Sequence, residues 1–154
     1  MYSINRENSI DTKGVDQMPK ANPVLVCVTA QLRCEKLIRA AEDLAAKLNR
    51  ELTVVTIQPK NAEPQQRARD LKCLNTLSKL CDCDIDIIYS DHVTTSLAAY
   101  INRCEPCHIL IGNPDTKGAF FNEFMSNHYC APVSVVDEKI IYTLPAYQFD
   151  AAHS

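Results

Sequence analysis

Three glycines occur in the 154 residues, and two of them bracket a single loop, Gly112-Asn113-Pro114-Asp115-Thr116-Lys117-Gly118. Glycine permits φ > 0 and lets a ligand approach the backbone closely. The apolar run Ile109-Leu110-Ile111 precedes this loop, and a helix-like stretch follows it. A strand, a glycine loop and a helix in that order are where α/β proteins commonly hold phosphate. A second polar stretch, Thr29 to Cys34, follows another apolar run. Arg33 and Lys117 are of the type that clamps phosphate, and Gln31 and Asn113 of the type that reads polar edges.

The eight cysteines supply the other candidate chemistry. Cys81-Asp82-Cys83 and Cys104-Glu105-Pro106-Cys107 together offer four thiolates of the kind that bind zinc. Both pairs precede strands, but in the strand order derived below those strands stand about 14 Å apart at ~4.8 Å per strand. A Zn–S bond is about 2.3 Å, so a single site is not expected. Cys104-x-x-Cys107 lies at the C-terminal end of a helix, where the dipole disfavours a thiolate, so redox chemistry is not expected either. Cys34, in the first turn of a helix between Arg33 and Lys36, can be acidic if exposed, but it also fits the buried stripe. His92 and His108 have no partner at ligand spacing. No nucleophile elbow, P-loop or His-Glu-x-x-His stretch occurs, and no enzyme is expected.

The bulk properties narrow the classes further. A hydrophobic fraction of 46% and a charged fraction of 23% suit a globular domain. A net charge of -3 without a basic cluster argues against nucleic acid as a partner. No apolar stretch approaches the ~20 residues that span a bilayer, and residues 1–6 lack a signal-peptide core. The expected compartment is the cytoplasm, with thiols reduced.

The elements that position these residues alternate. Residues 1–22 read as a flexible leader, 23–137 as one domain, and 138–154 as a tail. In the tail, Ile140-Ile141-Tyr142 and Tyr147 can extend the sheet, pair with another copy, or wrap the surface. Val24–Val28 is a continuous apolar run, as for a strand covered on both faces. Cys34, Leu37, Ile38, Ala41, Leu44, Ala45 and Leu48 keep helical spacing. Leu52–Ile57 is strand-like. A helix starting near Pro64 places Ala68, Leu71, Leu74, Leu77 and Leu80 inward. In Ile85–Tyr89, Asp86 alternates with isoleucines, which suits an edge strand. Val93, Leu97, Ile101 and Cys104 form the next helical stripe, with Thr94 or Asp91 available as its cap. Ile109–Ile111 is a fourth strand. Phe120, Phe121, Phe124 and Met125 make a short aromatic helix face, and Val133–Val136 is a fifth strand.

This alternation predicts an α/β fold: a five-stranded, parallel, doubly wound, Rossmann-like sheet in the order 3-2-1-4-5. The chain reverses direction between the first and fourth strands. A ligand is expected there, outside the carboxyl ends of the strands.

The runs Val24-Leu25-Val26-Cys27-Val28-Thr29, Cys34-Glu35-Lys36-Leu37-Ile38-Arg39, His108-Ile109-Leu110-Ile111-Gly112 and Cys130-Ala131-Pro132-Val133-Ser134-Val135-Val136 resemble the universal stress proteins. The likeness spans about residues 23–137 and is closest to the version in potassium-sensing histidine kinases. It implies an adenine nucleotide alpha hydrolase-like fold and a stress-related regulatory role. It also implies a homodimer joined through the fifth strand and the tail, with ATP, AMP or a cyclic dinucleotide as ligand. The nucleotide is then expected against Thr29, Ala30, Gln31, Val54, Gly112, Asn113, Thr116, Lys117 and Gly118. The chain departs from the family pattern at several points. Thr29-Ala30 stands where nucleotide-binding members end the first strand with Asp. Of the Gly-x2-Gly-x9-Gly-Ser/Thr motif only Gly112 keeps register. Asp115 occupies the second glycine, and Ala119-Phe120 the closing pair. Ala30-Gln31-Leu32-Arg33-Cys34 replaces the serine-rich loop of the kinase-associated members. The alternative readings are a dimeric scaffold without nucleotide and, more weakly, a cysteine-based metal or redox module.

Overall fold

The structure, a computed structural model, describes residues 2–4, 22–114, 119–127 and 129–146. In chain order the elements are β1 (Tyr2–Ile4), β2 (Val24–Cys27), α1 (Cys34–Leu48), β3 (Leu52–Gln58), α2 (Pro64–Cys81) and β4 (Ile85–Tyr89). There follow α3 (Val93–Cys104), β5 (His108–Gly112), α4 (Ala119–Ser126), β6 (Val133–Asp137) and β7 (Lys139–Leu144). They build one sheet in the order β1-β4-β3-β2-β5-β6-β7. The central strands β4, β3, β2, β5 and β6 are parallel, which is the predicted order with one antiparallel strand added at each edge.

The helices divide between the two faces of the sheet. Alternate residues of β2 and β5 enter two separate clusters because strand side chains point to opposite faces in turn. Val24, Val26 and Leu110 pack with Leu37, Ile38 and Ala41 of α1 and with Leu74 and Leu77 of α2. Leu25, Ile109 and Ile111 pack with Leu97 and Ile101 of α3 and with Phe121 and Phe124 of α4. Each such side chain, fully buried, is worth roughly 1.5–3 kcal/mol.

The local signals hold in part. Pro64 is the first residue of α2, and Glu63 caps that helix with its carboxylate, accepting from Gln65 N at 3.1 Å and Gln66 N at 3.2 Å. At α3 neither expected residue caps. The N-cap is His92 without a side-chain bond. Asp91 instead accepts the backbone N–H of Lys60 at 3.1 Å, tying two loops at the carboxyl edge of the sheet.

The inward face of α2 is Leu74, Leu77, Ser78 and Cys81, whereas Ala68 and Leu80, read as inward, are exposed. An apolar residue at every third position drifts around a helix of 3.6 residues per turn, so 68, 71, 74, 77 and 80 cannot share one face over more than three turns. β4 is not an edge strand, because β1 pairs beyond it. The polar side that suggested an edge exists for another reason: Asp86 accepts a hydrogen bond from Tyr100 Oη of α3 at 2.6 Å. Tyr2–Ile4 are a strand rather than part of an unstructured leader, and residues 5–21 lie outside the described residues. The tail docks as β7, extending the sheet beyond β6, while Tyr147 lies outside the described residues.

Among the described residues, left-handed backbone is carried by residues other than glycine. Asn22, Asn49, Asp82, Glu105 and Glu138 have φ between 48° and 65°. Asn49, Asp82 and Glu105 end α1, α2 and α3, each returning its N–H to a carbonyl of the last turn. Glycine is the usual residue at such a position. Glu105→Gly is therefore expected to stabilise the domain by about 0.5–1 kcal/mol in denaturant unfolding. The corrected face of α2 is checked in the same assay: Leu77→Ala costs about 2–5 kcal/mol, while Leu80→Ala stays within about 0.5 kcal/mol.

Candidate functional site

Strand pairing sets which loops meet. Cys27 is level with Val55 on one side and Ile111 on the other. The loops after β2 and β5 therefore leave the sheet side by side at the reversal point, with the carboxyl end of β3 next to them. Thr29, Ala30 and Gln31 stand on the first loop and Gly112 and Asn113 on the second, so five of the nine expected residues come together. Thr116, Lys117 and Gly118, with Asp115, lie outside the described residues.

Val54 does not belong to the site. It is buried in the middle of β3, opposite Val26, and packs in the α1–α2 cluster. β3 runs on past the end of β2, so the residues of β3 nearest the site are Thr56 and Gln58. Thr56 is buried, and its Oγ1 accepts from Gln58 Nε2 at 3.0 Å. The strand-like run Leu52–Ile57 ends at Ile57, so the end of that run, not Val54 near its middle, is what reaches the loops.

A hydrogen-bonded trio forms on the β2–α1 loop. Gln31 Oε1 accepts from Thr29 Oγ1 at 3.1 Å and from Arg33 Nε at 2.9 Å. Both donors converge on one oxygen, so the Gln31 Nε2 group and the exposed Arg33 guanidinium are held together at the loop surface. Gln31 Nε2 and the Arg33 guanidinium are N–H donors, of the type that suits an anion.

Several backbone amides nearby are already engaged. Cys34 N and Glu35 N donate to the carbonyls of Gln31 and Leu32, each at 3.0 Å, and Lys36 N to that of Arg33 at 3.3 Å. The start of α1 thus satisfies its own donors through a tight turn. On the second loop Asn113 N donates to Val136 O at 3.0 Å, and Pro114 has no N–H. Gly112 itself does not take positive φ, and a Cβ placed on it would meet only Leu37 Cδ2 at an ordinary 3.6 Å. The first residues of this loop are therefore not a backbone phosphate cradle.

Seven of the eight cysteines are buried or half-buried, Cys130 is exposed, and none forms a disulfide. Cys34 is buried beneath the trio, its Sγ 3.5 Å from Thr29 Oγ1. Burial pushes the Cys27 and Cys83 thiols up to about 12 and raises those of Cys73, Cys81 and Cys104, all away from thiolate. Cys81, Cys83 and Cys107 belong to the α1–α2 cluster and Cys104 to the α3–α4 cluster. Among the described residues no three metal-binding side chains converge.

A polar chain that sequence reasoning missed crosses the other half of the sheet. His108 Nε2 lies 2.6 Å from Ser134 Oγ, which lies 2.7 Å from Thr143 Oγ1, linking β5, β6 and β7. Ser134 is fully buried.

No family model matches the chain, and no curated protein matches it. Among solved structures, a universal stress protein from Archaeoglobus fulgidus aligns with a TM-score of 0.61 at 15% identity, covering 75% of this chain and 98% of that one. A structure of the universal stress protein from the same organism in complex with dAMP aligns with a TM-score of 0.60 at 13% identity, covering 78% of this chain and all of that one. The fold is thus that of the universal stress proteins. No helix among the described residues is long and apolar enough to cross a membrane.

His108 generates a prediction with a definite sign. Desolvation holds its pKa below 6.5 in the folded chain. Well above pH 6.5 the imidazole is neutral in both states and contributes no pH dependence. As pH falls below the unfolded value, the unfolded chain takes up the proton first, so stability declines until the folded pKa is passed. Denaturant titrations across this range are expected to show that decline, and His108→Gln should remove its share of it.

Proposed function

We propose that the chain is a universal-stress-protein-like regulatory domain of the cytoplasm, related to the version in potassium-sensing histidine kinases. It binds an adenine nucleotide at the reversal point and does no catalysis. The observation that carries this reading is the Thr29–Gln31–Arg33 trio. It places side-chain donors at the carboxyl end of β2, beside the β5 loop, where an open α/β sheet takes its ligands. The solved dAMP complex on the same fold supports the ligand class. With Asn113 N and the first amides of α1 engaged, the phosphates are gripped by Gln31 and Arg33, with Lys117 as the expected third group. Thr29 takes the position next to the ribose where a carboxylate would otherwise stand. The resemblance also supports a homodimer.

The test is a thermal-shift titration with ATP, AMP, dAMP and cyclic di-AMP. A nucleotide that binds the folded state alone raises Tm progressively with concentration. Arg33→Ala is expected to weaken binding by about 10- to 100-fold, the loss of a charge-assisted hydrogen bond. Gly112→Ala separates fold from ligand. The fold leaves room for the methyl group, so stability should rise by up to about 1 kcal/mol, whereas a nucleotide lying against this backbone would be displaced. No shift with any of the four nucleotides sinks the reading.

A second reading, a scaffold without nucleotide, is favoured by one specific observation: Asn113 N and the first amides of α1 are spent on internal carbonyls. Under that reading Gly112→Ala gains stability and Arg33→Ala changes nothing else.

A further inference from the structure

Beside the reversal point a lysine is already engaged by a carboxylate of the chain itself. Lys36 stands in the first turn of α1, and its Nζ lies 2.5 Å from Glu138 Oε1. Both side chains are exposed. Hydrogen bonding to Lys36 holds the Glu138 carboxyl below its ordinary pKa, and the same bond raises that of Lys36.

Three contacts put this pair on the rim of the candidate site. Lys36 N donates to Arg33 O at 3.3 Å. Arg33 already has helical backbone angles, and residues three apart on a helix are surface neighbours. The next residue, Leu37, packs over the second loop, its Cδ2 3.6 Å from where a Cβ on Gly112 would stand. On the far side Asn113 N donates to Val136 O at 3.0 Å, two residues before Glu138. The start of α1, the β5 loop and the β6–β7 turn therefore adjoin one another.

The pair is built to be exchanged. Two exposed charges are well hydrated when apart, so their ion pair contributes little net stability. A phosphate group brings more negative charge than a carboxylate and three strong acceptor oxygens. The lysine head rides on a flexible four-carbon stem and turns without moving the backbone. Glu138 cannot follow it far. It is the single residue between β6 and β7, with φ of 65°, and Asp137 is paired with Lys139 on either side of it.

We propose that Glu138 is an internal stand-in for a ligand phosphate: it engages Lys36 until a phosphate entering beside Arg33 takes Lys36 from it. The proposal rests on the nucleotide reading above and adds Lys36 to the groups that grip the ligand. It also gives the site a means of selection. An uncharged nucleoside has nothing with which to displace Glu138, whereas a nucleotide does.

Calorimetric titration of the full chain with AMP tests this. Glu138→Gln frees Lys36 in advance and is expected to tighten AMP binding by about two- to fivefold, the small worth of an exposed pair. Lys36→Gln is expected to weaken it by about fivefold or more. In the Lys36→Gln background, Glu138→Gln is expected to change nothing, because the group it competes for is gone. Both positions are exposed, so melting curves matching wild type should show that the variants fold. AMP binding that Glu138→Gln leaves unaltered, or tightens equally without Lys36, overturns the exchange and leaves the nucleotide reading standing. AMP binding to neither wild type nor Glu138→Gln overturns the exchange together with the AMP ligand on which it rests.

Discussion

The burial of β2 and β5 from both faces is the constraint on which the remaining architecture depends. Val24, Leu25, Val26, Ile109 and Leu110 are completely inaccessible, and strands so enclosed leave no place for an unpaired polar side chain. Chemistry is therefore displaced to where these strands end. The same enclosure requires one pair of helices on each face, and it is the change from the α1 side to the α4 side that parts the loops at the carboxyl edge. The reversal point follows from how the sheet is covered.

Hydrogen-bond accounting at that edge then limits what the loops can do. A cradle for phosphate made of backbone amides needs donors without internal partners. The start of α1 closes on itself, Asn113 continues the ladder to β6, and Pro114 contributes no donor. The side-chain trio adds donors of its own, since one amide oxygen holds two of them and so orients the groups that carry them. An anion bound there is gripped by charge and side-chain amide more than by backbone. Such a site is more dependent on ionic strength than a cradle buried against a helix.

Much of the architecture was legible in the sequence because it rests on periodicity. The apolar runs at 24–28 and 109–111 marked the doubly covered strands, and the 37, 38, 41, 45 spacing marked the buried face of α1. What escaped was whatever depends on a partner distant in sequence. Asp86 looked like an edge residue because Tyr100 could not be seen opposite it. Tyr2–Ile4 carried no period because three residues are too few to show one. The site was legible in position more than in composition. Val54 was drawn in by resemblance, although a residue two places into a seven-residue strand must lie well below the carboxyl edge. The His108–Ser134–Thr143 chain was invisible because each of its members lies on a different strand.

Scarcity of a residue type can mislead, and glycine does so here. In a chain with so few glycines, their positions looked like a record of where the backbone needs freedom. Yet among the described residues Asn22, Asn49, Asp82, Glu105 and Glu138 hold the left-handed positions, and Gly112 has an ordinary strand conformation with room for a methyl group. Asn and Asp tolerate this region through local hydrogen bonding, and at Glu138 the ion pair with Lys36 fastens the turn to α1. Conformational need at these positions is met without glycine, so neither φ nor packing accounts for Gly112. What remains is the small cross-section of the residue itself, facing the loop from which the Gln31 and Arg33 donors project. That is a property a ligand can use and the unliganded fold does not.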